Sequence, residues 1–283
     1  METMSSAPRR VPIGVTIAGA GGRMGQMLLE RALASPASFV LAAALEQEAS
    51  PLLGRDTGAA IGQMSGVLIS SDIEAAVRQS EVLIDFTRPE GTLRHARCCA
   101  DHGCAMVVGT TGLSEADKTE LASLARRVPM VVAPNMSVGV NVMLKLVRLA
   151  AQRLSDYDIE VVEIHHKHKV DAPSGTALGL GEAAAEGVGV TLADVAVYAR
   201  EGVCGERKPG TIGFATLRGG DVVGEHTVLF CGEGERVELT HRAGSRRNFA
   251  VGALRAAQFV AARRTEGSNG LYTMEDVLVL NDA

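Results

Sequence analysis

Residues 14–34 read GVTIAGAGGRMGQMLLERALA, and the fold is decided here. Gly14–Ala18 is an apolar run that stops at glycines, and Met24–Ala34 then carries Met24, Met27, Leu28 and Ala32 at helical spacing. Working outward, the same alternation repeats. Phe39–Leu45, Val82–Phe86, Ala105–Val108 and Met130–Ala133 are short apolar runs, and helical patterns around Ile73–Gln79, Thr92–His102 and Ser114–Arg127 lie between them. Strands that are apolar at every position must be covered on both faces, so they predict a parallel sheet with helices on each side. The fold class is α/β, with a Rossmann-like doubly wound domain over residues 1–136.

The loop Gly19-Ala20-Gly21-Gly22-Arg23-Met24-Gly25 spaces its glycines Gly-x-x-Gly-x-x-Gly, one residue wider at the start than the usual dinucleotide fingerprint. The physical needs are the same: a tight turn, a backbone close to a pyrophosphate, and close packing of the helix. Any strand–helix turn enriches glycine, and it is the flanking apolar strand and amphipathic helix that give this one weight. The second strand ends in Glu46, well placed for ribose hydroxyls. Gln47 follows where a cation would help hold a 2′-phosphate, so NADH is expected to serve at least as well as NADPH. Phe86-Thr87, Gly109-Thr110-Thr111 and Ala133-Pro134-Asn135-Met136 complete three further polar strand ends, where ligands of open α/β sheets bind.

After Asn135 the grammar changes. A helix over Val138–Leu154, a strand over Ile159–Glu163 and a helix over Ser174–Glu186 are followed by closely spaced strands at Ile212–Arg218, Asp221–Phe230 and Arg236–His241. Gly219-Gly220 suggests a hairpin between the first two. Residues 137–246 therefore read as a second, α+β domain with an open mixed sheet plus helices. The last helix, Phe249–Arg263, is apolar on one face, and the segment 247–283 is expected to pack back on the first domain.

The chemistry concentrates in EIHHKHKVDAPSGTA, residues 163–177. His165, His166, His168, Lys167 and Lys169 crowd the end of a strand, and Ser174-Gly175-Thr176 opens a helix. Free N–H groups at a helix start, with Lys169 beside them, suit a carboxylate, and an imidazole supplies a proton donor near neutral pH. A metal is not expected: the histidines of an extended segment point to different faces, and two lysines repel a cation. A solvated basic strand end is the plainer alternative, against which the Asp-Ala-Pro-Ser-Gly-Thr sequel stands.

That run, with GAGGRMG, DFTRPEGT, GTTG, APNMSVGVN and GERKPGTIGFATLRGGDVVGEHTV, resembles the 4-hydroxy-tetrahydrodipicolinate reductase (dihydrodipicolinate reductase) family over nearly the whole chain. The resemblance implies NAD(P)H-dependent reduction of 4-hydroxy-tetrahydrodipicolinate to tetrahydrodipicolinate in lysine and diaminopimelate biosynthesis. It implies NAD(P)H binding at Gly19–Gly25, Glu46, Phe86-Thr87, Gly109–Thr111 and Ala133–Met136. It further implies that His165 is the proton donor, that Lys169 assists and binds substrate, and that His166, Ser174, Gly175 and Thr176 grip the carboxylates of a small cyclic dicarboxylate. Members are typically homotetramers joined through the second domain. Many carry arginine after the ribose-binding acid; here Gln47 departs from that, with Arg23 or Arg55 as cations that would compensate. The competing readings are another two-domain dehydrogenase, acting on an amino acid or a semialdehyde, and a nucleotide sensor without catalysis. A sensor needs no proton donor beside an anion turn.

Bulk properties agree. The 283 residues are 46% apolar and 22% charged, with a net charge of −5 and no long basic run, which speaks against a nucleic-acid partner. Six Phe, three Tyr and no Trp leave little for base stacking. Five cysteines without metal or CxxC spacing fit reduced thiols in a cytoplasmic protein. Residues 1–12 lack the apolar segment of a signal peptide, and no apolar run is long enough to span a membrane.

Overall fold

The computed structural model of the protein describes residues 11–280, so the N-terminal tail read from residues 1–12 lies mostly outside the described residues. The chain divides into two compact units: residues up to Met136 with the segment from Phe249, and Ser137–Asn248.

In the first unit β1 (Ile13–Ala18) leads to α1 (Arg23–Leu33) and β2 (Phe39–Leu45) to the short β3 (Ile69–Ser70). Then follow α2 (Ile73–Arg78), β4 (Val82–Asp85), α3 (Pro89–His102), β5 (Ala105–Val108), α4 (Glu115–Leu124) and β6 (Pro129–Val132). Every residue of β4 and β5 is buried, as strands covered on both faces require. Thr16 is the polar exception on β1, and its buried hydroxyl is satisfied by the hydroxyl of Ser80. Helix α3 starts a turn earlier than the pattern from Thr92 indicated. Pro89 takes its first position, where the missing N–H costs nothing, and Gly103 ends it with φ 70°.

The second unit opens with α5 (Val138–Arg153), capped by the Ser137 hydroxyl, and continues through β7 (Asp158–His165), α6 (Gly175–Val188), α7 (Leu192–Val195) and β8 (Ala196–Val197). It closes with β9 (Ile212–Arg218), β10 (Glu225–Cys231) and β11 (Arg236–Arg242). The five strands run in the order β11-β10-β7-β9-β8. Residues of β7 alternate, with Ile159, Val161, Glu163 and His165 buried. Helices α5 and α6 cover that face, and the absent side chain of Gly181 admits the Phe214 ring. The other face carries Val162, Ile164, Ala215, Leu217 and Leu229 without a covering helix of its own unit, and Leu217 is 47% exposed.

The expected hairpin across Gly219-Gly220 is not formed. Strands β9 and β10 lie on opposite sides of β7, one parallel to it and one antiparallel. Residues 219–224 instead cross the end of β7, where His165 O accepts from Gly219 N–H at 2.9 Å and Val222 O accepts from His166 N–H at 2.7 Å. Flanking β7 on both sides buries Phe214, Val161, Val228 and Phe230 in one core, which a local hairpin would not achieve.

From Phe249, within α8 (Arg247–Thr265), the chain belongs again to the first unit, adding β12 (Gly270–Tyr272) and α9 (Met274–Leu278). The first sheet is then seven parallel strands, β12-β6-β5-β4-β1-β2-β3. Val15, Ile17, Ile84 and Val107 meet α1 and α8 on one face; Leu83, Met106, Val108 and Met130 meet α2, α3 and α4 on the other. Strand β12, which the sequence pattern did not reveal, has only three residues on the sheet edge.

Candidate active site

Chain direction puts β1 between β2 and β4, so the chain departs from β1 both ways and a crevice opens at the carboxyl edge. A cavity of about 690 Å³ lies there, lined by Gly19, Gly22, Glu46, Gln47, Phe86 and Thr87 among others. The glycine loop is built as the sequence demands. Gly19 has φ 71°, and a side chain at Gly25 would come within 2.1 Å of the Gly19 carbonyl. Gly22 caps α1 without any side-chain acceptor, which leaves first-turn N–H groups for an anion. Ala20 is buried with its N–H on Leu45 O, and Met24 packs into the core beneath the loop, whereas Arg23 is exposed. The Glu46 carboxylate accepts the Gly21 N–H at 2.8 Å. Gln47 is exposed, and the cations lining the cavity are Arg88 and Arg94 rather than Arg23 or Arg55.

The other strand-end loops are fastened by Asp85, fully buried at the end of β4. It accepts from the Thr87 N–H and hydroxyl at 2.8 Å each, from Thr92 and Thr110 hydroxyls at 3.1 Å each, and from His95 Nδ1 at 2.5 Å. Burial pushes its carboxyl up, but His95 and Thr87 outweigh that and hold it below the usual carboxylate value. Thr87 and Thr110 therefore spend their hydroxyls on Asp85. The Phe86 ring fills the space a side chain at Gly109 would need. Thr111 and Pro134 are exposed, Asn135 is half-buried, Ala133 is buried, and the Met136 side chain is part of the core.

In the second unit β7 delivers Glu163 and His165 to the same face, two residues apart. Glu163 is 1% exposed, and its Oε2 meets His165 Nδ1 at 2.5 Å. Arg218 donates to both oxygens at 2.9 Å, and Ser174 N–H donates to Oε1 at 3.0 Å. Burial raises the Glu163 carboxyl, but Arg218, His165 and Ser174 together outweigh it and hold the carboxyl low. Ser174 caps α6: its hydroxyl takes the Ala177 N–H at 3.2 Å and meets His226 Nε2 at 3.0 Å. Burial above all, then the neighbouring His165, pushes His226 down to about 4, so it is neutral at pH 7. Its ring stands edge-on to that of His165 with centroids 5.1 Å apart.

Around this buried group, Gly175 is exposed and Thr176 half-buried at the helix start. Lys169 Nζ contacts the exposed Asp171 carboxylate at 2.7 and 2.9 Å. His166 is half-buried with an unpaired buried Nδ1, and desolvation, then Arg246, push it down. His168 is exposed, tilted against His166 at 6.3 Å.

Ser174, expected to grip a ligand, is thus buried with both its N–H and hydroxyl engaged, which leaves Gly175, Thr176, Lys169 and His166 nearer solvent. Sequence reasoning gave no role to Glu163, Arg218 or His226. The i, i+2 spacing of Glu163 and His165 on a strand carried the signal for the first; the other two arrive from separate strands. Among the described residues Glu163, His165 and His226 place ligand atoms within 4.8 Å of one another. The bidentate guanidinium of Arg218 on that carboxylate is a poor neighbour for a metal cation.

A glycine loop at the switch point of a parallel sheet, with an imidazole–carboxylate pair at a helix start, marks a pyridine-nucleotide-dependent oxidoreductase. Family models described as dihydrodipicolinate reductase, N-terminus and C-terminus, match residues 13–136 and 139–278. The 4-hydroxy-tetrahydrodipicolinate reductase of Thiobacillus denitrificans is 56% identical over 269 residues, 95% of this chain and 99% of that one. The enzyme of that name from Herminiimonas arsenicoxydans is 53% identical over 267 residues, 94% and 98% of the two chains. A solved, dipicolinate-bound dihydrodipicolinate reductase from Paenisporosarcina sp. TG-14 superposes with TM-score 0.72 at 25% identity, covering 93% of this chain and 98% of that one. The chain belongs to the dihydrodipicolinate reductase family.

Proposed function

We propose that the protein reduces 4-hydroxy-tetrahydrodipicolinate to tetrahydrodipicolinate, with loss of water, on the route to diaminopimelate and lysine. The observation that carries this reading is His165, held by a buried carboxylate at one nitrogen, on a strand that continues into Lys169 and the Ser174–Thr176 turn. The nicotinamide supplies a hydride. His165 supplies the proton, and Lys169 assists and binds a substrate carboxylate. His166 and the turn Ser174-Gly175-Thr176 hold the carboxylates, Ser174 by shaping the turn. For the cofactor, the Gly19–Gly25 loop takes the pyrophosphate and Glu46 the ribose, with Phe86-Thr87, Gly109–Thr111 and Ala133–Met136 along the crevice.

NADH is expected to serve at least as well as NADPH, because Glu46 repels a 2′-phosphate and Gln47 offers no charge; Arg88 and Arg94 are the cations that would admit one. A large NADPH preference in kcat/KM would overturn this. The uncovered sheet face bearing Val162, Ile164, Leu217 and Leu229 supports a homotetramer joined through the second unit, a state that sedimentation measures. Among the described residues no helix is long and apolar enough to cross a membrane, and the five cysteines are free thiols, which suits a cytoplasmic enzyme.

The deciding assay couples a dihydrodipicolinate synthase, pyruvate and aspartate semialdehyde to the pure protein and follows oxidation of reduced nicotinamide. Oxidation that depends on all three supports the reading; none at all refutes it.

A further inference from the structure

We infer that Glu163 is a positioning residue of the reaction: it fixes which nitrogen of His165 carries the proton and ties that imidazole to the anion turn. The inference rests on the reductase reading above and extends it to a buried residue whose recorded partners are all protein groups.

The Glu163 carboxyl is held low, so at neutral pH it is ionised and can only accept. Four donors converge on it. Oε1 takes Ser174 N–H at 3.0 Å and Arg218 Nη2 at 2.9 Å, while Oε2 takes Arg218 Nη1 at 2.9 Å. The remaining partner of Oε2 is His165 Nδ1 at 2.5 Å, which must therefore carry a hydrogen. When His165 is neutral its proton sits on Nδ1, and when charged it has Nε2–H to give, with a carboxylate behind it stabilising the imidazolium. Among the described residues no other anion meets this ring: across the sheet it faces neutral His226 from β10 and Arg218 from β9.

The second half of the role is mechanical. Ser174 is the N-cap of α6, and its own N–H is bound by Glu163 rather than by solvent. One carboxylate thus sets the position of the proton donor relative to the turn that holds the ligand. Misplacing such a pair by an ångström is costly in rate.

Glu163→Gln separates this from a purely structural role. Oε1 faces two fixed donors, Ser174 N–H and Arg218 Nη2, whereas Oε2 faces one, Arg218 Nη1, and an imidazole that can change tautomer, so the carbonyl takes the Oε1 place and the amide NH₂, turned against Arg218 Nη1, donates to His165 Nδ1. The neutral ring must then carry its proton on Nε2, and the imidazolium loses its anion. The expected result is a fall in kcat of about 10²-fold, the low end of a general acid's contribution, with substrate KM and dipicolinate affinity held within about threefold. Imidazole ¹⁵N resonances should report Nδ1–H for neutral His165 in the parent and Nε2–H in the variant.

A kcat within about threefold of the parent, or a raised KM with kcat unchanged, would overturn the inference. So would a parent whose neutral His165 is protonated on Nε2, a measurement that needs no variant and stands if Glu163→Gln does not fold. Failure of the parent in the coupled assay would instead strike the reductase reading, leaving the tautomer measurement to be judged separately.

Discussion

Each unit is organised around one buried carboxylate at or near a strand end, and the two solve the same problem differently. Asp85 and Glu163 are almost wholly shielded, both accept a backbone N–H and both meet a histidine Nδ1 at 2.5 Å. Asp85 is surrounded by hydroxyls from three threonines on three different segments, so it works as a clasp for loops. Glu163 is neutralised by a bidentate arginine, and it also binds the N–H of Ser174 at the start of α6. A carboxylate met by hydroxyls holds loops together; one backed by arginine ties a strand-end imidazole to the start of a helix.

The comparison can be broken by stability. Asp85→Ala leaves His95 and three hydroxyls without their acceptor in a dry site and should cost about 3–5 kcal/mol, read from denaturant unfolding at pH 7. Glu163→Ala should cost roughly half as much, because the Arg218 side chain is 21% exposed and can be hydrated. The reverse ranking would show that Glu163 is the main structural clasp.

Acid sharpens it further. His226 is pushed down from 6.5 to about 4, so the unfolded chain binds its proton first as pH falls. Its contribution to stability is complete above pH 6.5 and is lost between there and about 4, on the order of 3 kcal/mol in all. The Asp85 contribution, from a lowered carboxyl, is present above 3.8 and lost only below it. Segment-resolved hydrogen exchange should therefore show the second unit loosening at a higher pH than the first, and His226→Gln should remove that gap. Simultaneous loosening in the parent would contradict the assignment.

The most specific effect is on rate rather than stability. His165→Gln should lower kcat by about 10²-fold, some 2.7 kcal/mol, with the fold intact by circular dichroism. Unchanged kinetics would move the proton donor elsewhere.

Much of this was legible beforehand, for physical reasons that also mark the limit. The strands β1, β4 and β5 announce themselves because a doubly covered strand is apolar at nearly every position, Thr16 and Asp85 being the exceptions, and the glycine loop because only glycine lets the α1 backbone approach Gly19. Helix α6 was readable from Ser174-Gly175-Thr176 at its start, though not that Ser174 is its cap. The hairpin at Gly219-Gly220 misled because a glycine pair signals a change of direction without saying which strand receives the chain. Glu163 stood in view within EIHH, yet its importance depends on Arg218 and His226, 55 and 63 positions away in sequence (218 − 163 and 226 − 163).

By itself, then, the sequence determined what periodicity and local chemistry encode: the parallel α/β unit, the nucleotide loop, and a histidine–lysine segment leading into a helix. Only the tertiary structure decided the strand order around β7, the burial of Ser174, and the ring of donors about Glu163. Those features depend on which distant strands pair so as to bury the most apolar surface while leaving no carboxylate unsatisfied, a choice made by the whole chain at once.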